Sequence, residues 1–249
     1  MPNSLIYRYP VGIDLTNYIA ENAGTMLIQS KPPAIEIISD PSGANQVAEV
    51  MLYEYGTNGF INGPVLAPGA SGSGILRFPY TLRAYLTSHS GFEGTSATQC
   101  YAIAHGSFGS GGSGQQPWAA TTTNTISMLR VRSNLGVPYY VDIIYGPGGG
   151  AAWTATTLTE RVSDTTGDWG ALLELVVDYP NAQLIGKVNG VIGATVPMLG
   201  WNGTRLPNLN SLGKVPWMSI ISATGSSIVG QNWYSMWTGI EMEVGIKTR

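Results

Sequence analysis

Leu184-Ile185-Gly186-Lys187-Val188-Asn189-Gly190-Val191-Ile192-Gly193 places an Asn-Gly pair between two apolar runs. Asn and Gly tolerate the positive φ that a two-residue type I′ turn needs at both central positions, so the stretch predicts a β-hairpin. Just upstream, Tyr179-Pro180-Asn181-Ala182 is a turn that brings the strand Ala171 to Tyr179 back toward Gln183–Val188. Three antiparallel strands then form a meander.

Period-two patterning continues outward from this meander. From Tyr80 to Thr87, Leu82, Ala84 and Leu86 oppose Thr81, Arg83, Tyr85 and Thr87, which predicts a strand with one dry face. From Gln46 to Tyr55, Val47, Glu49, Met51, Tyr53 and Tyr55 alternate with Ala48, Val50, Leu52 and Glu54, so both faces are mostly apolar. Further strands are expected at Thr25–Ser30, Ala34–Ser39, Gln99–His105, Thr125–Arg132, Tyr139–Tyr145, Thr154–Val162, Val215–Ser222 and Gly239–Lys247. Few windows escape Gly, Pro or β-branched residues for long enough to make a helix. The fold class is all-β, an antiparallel β-sandwich of jelly-roll type.

Composition narrows the function. Only 11% of the 249 residues are charged, against roughly 25% in ordinary soluble domains, and the net charge is −3. No basic block exists, which argues against nucleic acid as a partner. Thirty-three residues are Gly, nearly twice the usual share. Cys100 is the single cysteine, so no intrachain disulfide is available. The N-terminus lacks the pattern of a secretory signal and no apolar run is long enough to span a bilayer, so a soluble chain made without export and without membrane insertion is expected. Residues 1–24 read as an extended N-terminal arm able to lie across a neighbouring subunit, and 25–249 as a single β-sandwich domain. Within it, Gly106 to Trp118 and Gly146 to Gly150 read as loops. Gly109-Ser110-Gly111-Gly112-Ser113-Gly114 matches a dinucleotide-binding glycine pattern but precedes no helix, and is set aside.

The succession Tyr80-Thr81-Leu82-Arg83-Ala84-Tyr85-Leu86, Cys100-Tyr101-Ala102-Ile103-Ala104-His105-Gly106, Tyr140-Val141-Asp142-Ile143-Ile144-Tyr145-Gly146, Leu173 to Tyr179 and Leu184 to Gly190 resembles concanavalin A-like (laminin G/lectin-type) jelly-roll domains. Trp237-Thr238-Gly239-Ile240-Glu241-Met242-Glu243-Val244 is similar to that family's closing strand. The resemblance implies a lectin-like sandwich of the kind found in bacteriophage virion structural proteins. It also raises glycosidase chemistry, because some relatives hydrolyse sugars with paired carboxylates. Glu241 and Glu243, two residues apart on one strand, are the only pair at suitable spacing for a catalytic role. The Glu-x-Asp-x-x-Glu pattern of such hydrolases is absent, and Glu174 and Asp178, roughly 13 Å apart along a strand, read as surface residues. For binding, Trp118 and Trp169 were singled out because each sits in a polar stretch, where a ring can stack on a sugar face, with Asn181 as a hydrogen-bonding neighbour.

His89 and His105, the two histidines, lack paired ligand spacing, so zinc is not expected. No cofactor is called for; calcium stays open through Asp164 and Asp168, with Asn181 nearby. Low charge, no export signal and no catalytic machinery together suggest a non-enzymatic virion surface protein, as capsid decoration or in a tail fibre. Its partners would be other virion proteins and copies of itself in a symmetric homo-oligomer. The alternative is a carbohydrate-binding, lectin-like adhesin or receptor-binding module with a host-surface glycan as partner; an endoglycosidase ranks below both.

Overall fold

A computed structural model describes residues 4–8, 19–23, 27–31, 33–38, 46–52, 79–89, 99–106, 126–132, 140–145, 149–154, 160–161, 169–178, 181, 183–197, 218–224 and 234–245. The strands in chain order begin with β1 (Ser4–Arg8), β2 (Ile19–Ala23), β3 (Leu27–Lys31), β4 (Ala34–Ile38) and β5 (Gln46–Leu52). Next come β6 (Tyr80–His89), β7 (Gln99–Gly106), β8 (Ile126–Arg132), β9 (Tyr140–Tyr145), β10 (Gly149–Thr154) and β11 (Glu160–Arg161). The last five are β12 (Trp169–Asp178), β13 (Gln183–Val188), β14 (Val191–Pro197), β15 (Met218–Thr224) and β16 (Tyr234–Gly245).

They form two antiparallel sheets packed as a sandwich. The nine-stranded sheet runs β14-β13-β12-β6-β16-β4-β3, with β1 beside β16 and β11 beside β12; the seven-stranded sheet runs β10-β9-β8-β7-β15-β5-β2. The expected meander is present as β12-β13-β14. Its turn has the positive φ values of a type I′ pair, 50° at Asn189 and 78° at Gly190. Asn189 also bonds back to β12. Its backbone N–H donates to the Leu172 carbonyl and its Oδ1 accepts from the Leu172 N–H, both at 2.9 Å.

Alternation then places the core. Leu82, Ala84 and Leu86 of β6, and Ala171, Leu173, Leu175 and Val177 of β12, are wholly buried, as the dry-face pattern predicts. Trp237 of β16 crosses to the other sheet, where its Nε1 donates to Ser222 Oγ at 3.1 Å. Ser222 and Ser235 share a further hydroxyl bond of 2.8 Å. These contacts identify the side of the seven-stranded sheet that faces the interlayer, which carries Ile220, Ile103, Leu129, Val131, Val141 and Ile143. The opposite side is buried too. There Val47, Cys100, Ala102, Ala104, Met128, Ile144, Ile221 and Ala223 form one apolar cluster.

Several boundaries differ from the sequence expectation. The 1–24 segment contributes a strand to each sheet of its own chain: β1 pairs with β16, and β2 pairs with β5. β16 begins five residues before Gly239, because its first half pairs with β4 and its second half with β1, on either side of an irregularity between Thr238 and Glu241. Gly149 and Gly150, expected in a loop, start β10; the ladder to Tyr145 and Ile144 of β9 supplies the order that glycine propensity opposes.

Candidate functional site

The outer face of the nine-stranded sheet combines exposed aromatic, apolar and ionic side chains in one register. Across five strands, Lys187 of β13, Glu174 of β12, Arg83 of β6, Glu241 of β16 and Arg8 of β1 are successive cross-strand partners. Opposite charges so placed attract across each pair. Arg83 is the hub. Its Nη1 donates to Glu241 Oε1 at 2.7 Å and to Glu243 Oε2 at 2.8 Å, and its Nε lies 3.4 Å from Glu174 Oε1. Burial lowers the tendency of the guanidinium to hold its charge, but the bonds and charges of Glu241 and Glu243 outweigh it, and the pKa rises above its ordinary value.

Tyr85 stands two residues beyond Arg83 on the same face, between Leu172 and Thr238. It is 44% exposed. Its ring end lies over Gly170, where a Cβ would meet the phenol oxygen at 2.6 Å. Only glycine leaves that space open, so the local sequence of β12 sets the pose of a residue on β6. Thr87 and Thr238 are half-buried beside it. The result is an aromatic surface rimmed by hydroxyls and an ion row.

Of the residues singled out in the sequence, Glu241 and Glu243 meet on one guanidinium nitrogen. Glu174 joins the same cluster and is only 8% exposed, contrary to its reading as a surface residue, because Arg83 bridges it to β16. Trp169 is the first residue of β12, opposite Ser88 and Arg161, and so lies in a strand instead of a polar loop. Asn181 is an exposed turn residue. Its Nδ2 donates to Asp178 Oδ2 at 2.7 Å, and its backbone N–H to Asp178 Oδ1 at 3.3 Å. Partial burial pushes the Asp178 carboxyl up, but these bonds and one from Gln183 outweigh it and hold it below the usual carboxylate range. Trp118, Asp164 and Asp168 lie outside the described residues. His89 and His105 belong to different sheets. Among the described residues no group of three or more His, Cys, Asp or Glu is placed to hold a metal.

Arg83, Tyr85 and Gly170 were not recognised as a unit beforehand. The alternation Thr81, Arg83, Tyr85, Thr87 did mark one polar face, but the partners come from strands about 90 and 160 residues away, which no local pattern reveals.

A second ionic pair has another character. Arg130 of β8 and Asp142 of β9 sit on the buried outer face of the seven-stranded sheet, where Nε donates to Oδ1 at 2.7 Å and Nη2 to Oδ2 at 2.6 Å. Burial opposes the Arg130 charge, but the Asp142 bond and nearby negative charge outweigh it and raise its pKa. This two-pronged pair satisfies polar groups that a dry face would otherwise orphan.

No protein-family model and no curated protein sequence matches this chain. Solved structures do. The carbohydrate recognition domain of Emp46p in its potassium-bound form is 12% identical, with a TM-score of 0.51, over 97% of this chain and 98% of that one. Crh5 transglycosylase in complex with NAG is 10% identical, with a TM-score of 0.50, over 98% and 84%. The binding domain of botulinum neurotoxin DC in complex with rat synaptotagmin II is 6% identical, with a TM-score of 0.46, over 93% of this chain; the chain spans only 44% of that structure's length. At such identities the likeness concerns the fold, a lectin-like jelly-roll β-sandwich.

Proposed function

We propose that this chain is a carbohydrate-binding, lectin-like module whose ligand rests on Tyr85 at the outer face of the nine-stranded sheet. The observation that carries the reading is the exposed ring held over Gly170 beside hydroxyls and the Arg83 network. A sugar needs both an apolar surface for its C–H face and convergent polar groups for its hydroxyls. The lectin-like fold raises the prior without supplying the site. Binding without turnover is the better fit. A retaining glycosidase needs one carboxyl to donate a proton, whereas Glu241 and Glu243 both accept from Arg83 Nη1, a role that calls for no proton on either.

The test is calorimetry of the purified chain with oligosaccharides chosen from an array screen. Tyr85→Ala is expected to weaken binding by about tenfold or more, the scale of losing an aromatic contact of 1–2 kcal/mol. Undiminished binding in that variant would displace the site; no binding to any glycan would remove the reading. The narrower expectation of a virion surface component draws on the low charge of the chain, and capsid or fibre attachment of the purified protein would be its direct assay.

A further inference from the structure

We infer, taking the glycan-binding reading as premise, that the Tyr85 platform takes neutral or amino-bearing sugars and disfavours anionic ones. Tyr85 is flanked directly by Leu172 and Thr238, and the next cross-strand row holds Glu174, Arg83 and Glu241. A ligand lying on the ring therefore meets these three groups first, with cross-strand diagonals of roughly 7–8 Å. Two of the three are carboxylates.

The arginine between them does not offer a free fork for an anion. Both Nη1 bonds go to Glu241 and Glu243, and Nε faces Glu174, so an incoming carboxylate or sulfate would have to displace an internal partner from the two-pronged geometry that anions favour. Three carboxylates to one guanidinium leave acceptor lone pairs, suited to sugar hydroxyls or an ammonium. Lys187 and Arg8, the other cations of the row, stand one strand further out on either side. An uncompensated negative charge about 6 Å from a ligand anion weakens binding by about threefold in a water-like dielectric, and more where water is excluded.

The experiment compares neutral hexose oligosaccharides, glucosamine oligosaccharides with free amines, and sialylated oligosaccharides of matched length, on the full chain at low and at physiological ionic strength. Neutral and amino-bearing probes are expected to bind at least threefold more tightly than sialylated ones, with the gap widest at low salt. Glu241→Gln should narrow the gap by about threefold. Glu243→Gln, which changes the most exposed of the three carboxylates, provides a second reading if the first variant folds poorly. Equal or tighter binding of sialylated probes, or a gap unmoved in both variants, overturns this inference and leaves the glycan reading in place. Failure of all three classes to bind overturns the glycan reading itself.

Discussion

The two sheets share strand chemistry and antiparallel pairing, yet their outer faces have opposite fates. On the seven-stranded sheet that face is closed to solvent, and its ionic residues Arg130 and Asp142 are buried among small apolar side chains. On the nine-stranded sheet the corresponding face is open. All the large apolar side chains found exposed among the described residues, Ile6, Leu27, Tyr85, Val191 and Ile192, belong to it. The same element, an arginine gripped by carboxylates, thus does two jobs: on one sheet it makes a buried face tolerable, on the other it shapes a surface that meets solutes.

The sharpest way to break this comparison is to remove each arginine in turn. Arg130→Met leaves Asp142 buried without its fork and should destabilise the chain by about 3–5 kcal/mol in urea unfolding. Arg83→Met frees carboxylates that water reaches, and about 1 kcal/mol or less is expected. Similar losses from both would show that the two faces are equally buried in solution. Binding should divide the other way, with Arg83→Met altering glycan selectivity and a folded Arg130 variant leaving it alone.

Gly170→Ala sharpens the contrast on the open face. The added methyl would meet the Tyr85 hydroxyl at 2.6 Å, but that is the far end of a side chain that has room to rotate outward. Stability should fall by less than about 1 kcal/mol, the range of surface substitutions with a modest local conflict. Glycan binding should fall with it by a factor close to that of Tyr85→Ala. If binding is unchanged when the ring has been displaced, the platform is not the contact surface.

How much was legible follows the same division. The hairpin at Asn189-Gly190, the dry face of Leu82, Ala84 and Leu86, and the two-sided burial from Val47 to Val50 all follow from local alternation and turn chemistry, and all are present. The strand at Gly149–Thr154 was missed because its order comes from pairing with β9, against the preference of its glycines. The site was half visible. Glu241 and Glu243 were paired correctly by spacing, but as carboxylates flanking a sugar bond, since nothing local shows that Arg83 stands across from them. Glu174 read as exposed for the same reason. Register is a long-range property, set by which strands become neighbours, and single-strand periodicity carries no information about it.

The smallest effect expected lies at the end of the meander, and its sign is determined by hydrogen bonding. Asp178 accepts from the Asn181 backbone and side chain and from Gln183, which together hold its carboxyl below the usual range despite the opposing effect of burial. A carboxyl whose pKa is lower folded than unfolded adds stability above the unfolded value, near 3.9, and that stability is lost as pH falls through the folded value. Comparing wild type with Asp178→Asn cancels the other carboxylates, which titrate in both. The difference in unfolding free energy should be constant from about pH 7 to 5 and shrink toward pH 2. A difference that grows on acidification would mean that the Asp178 carboxyl is raised in the folded chain and that the turn bonds do not outweigh its burial. The exposed turn makes this a small change, and a useful one, because it tests a single acceptor without disturbing either sheet face.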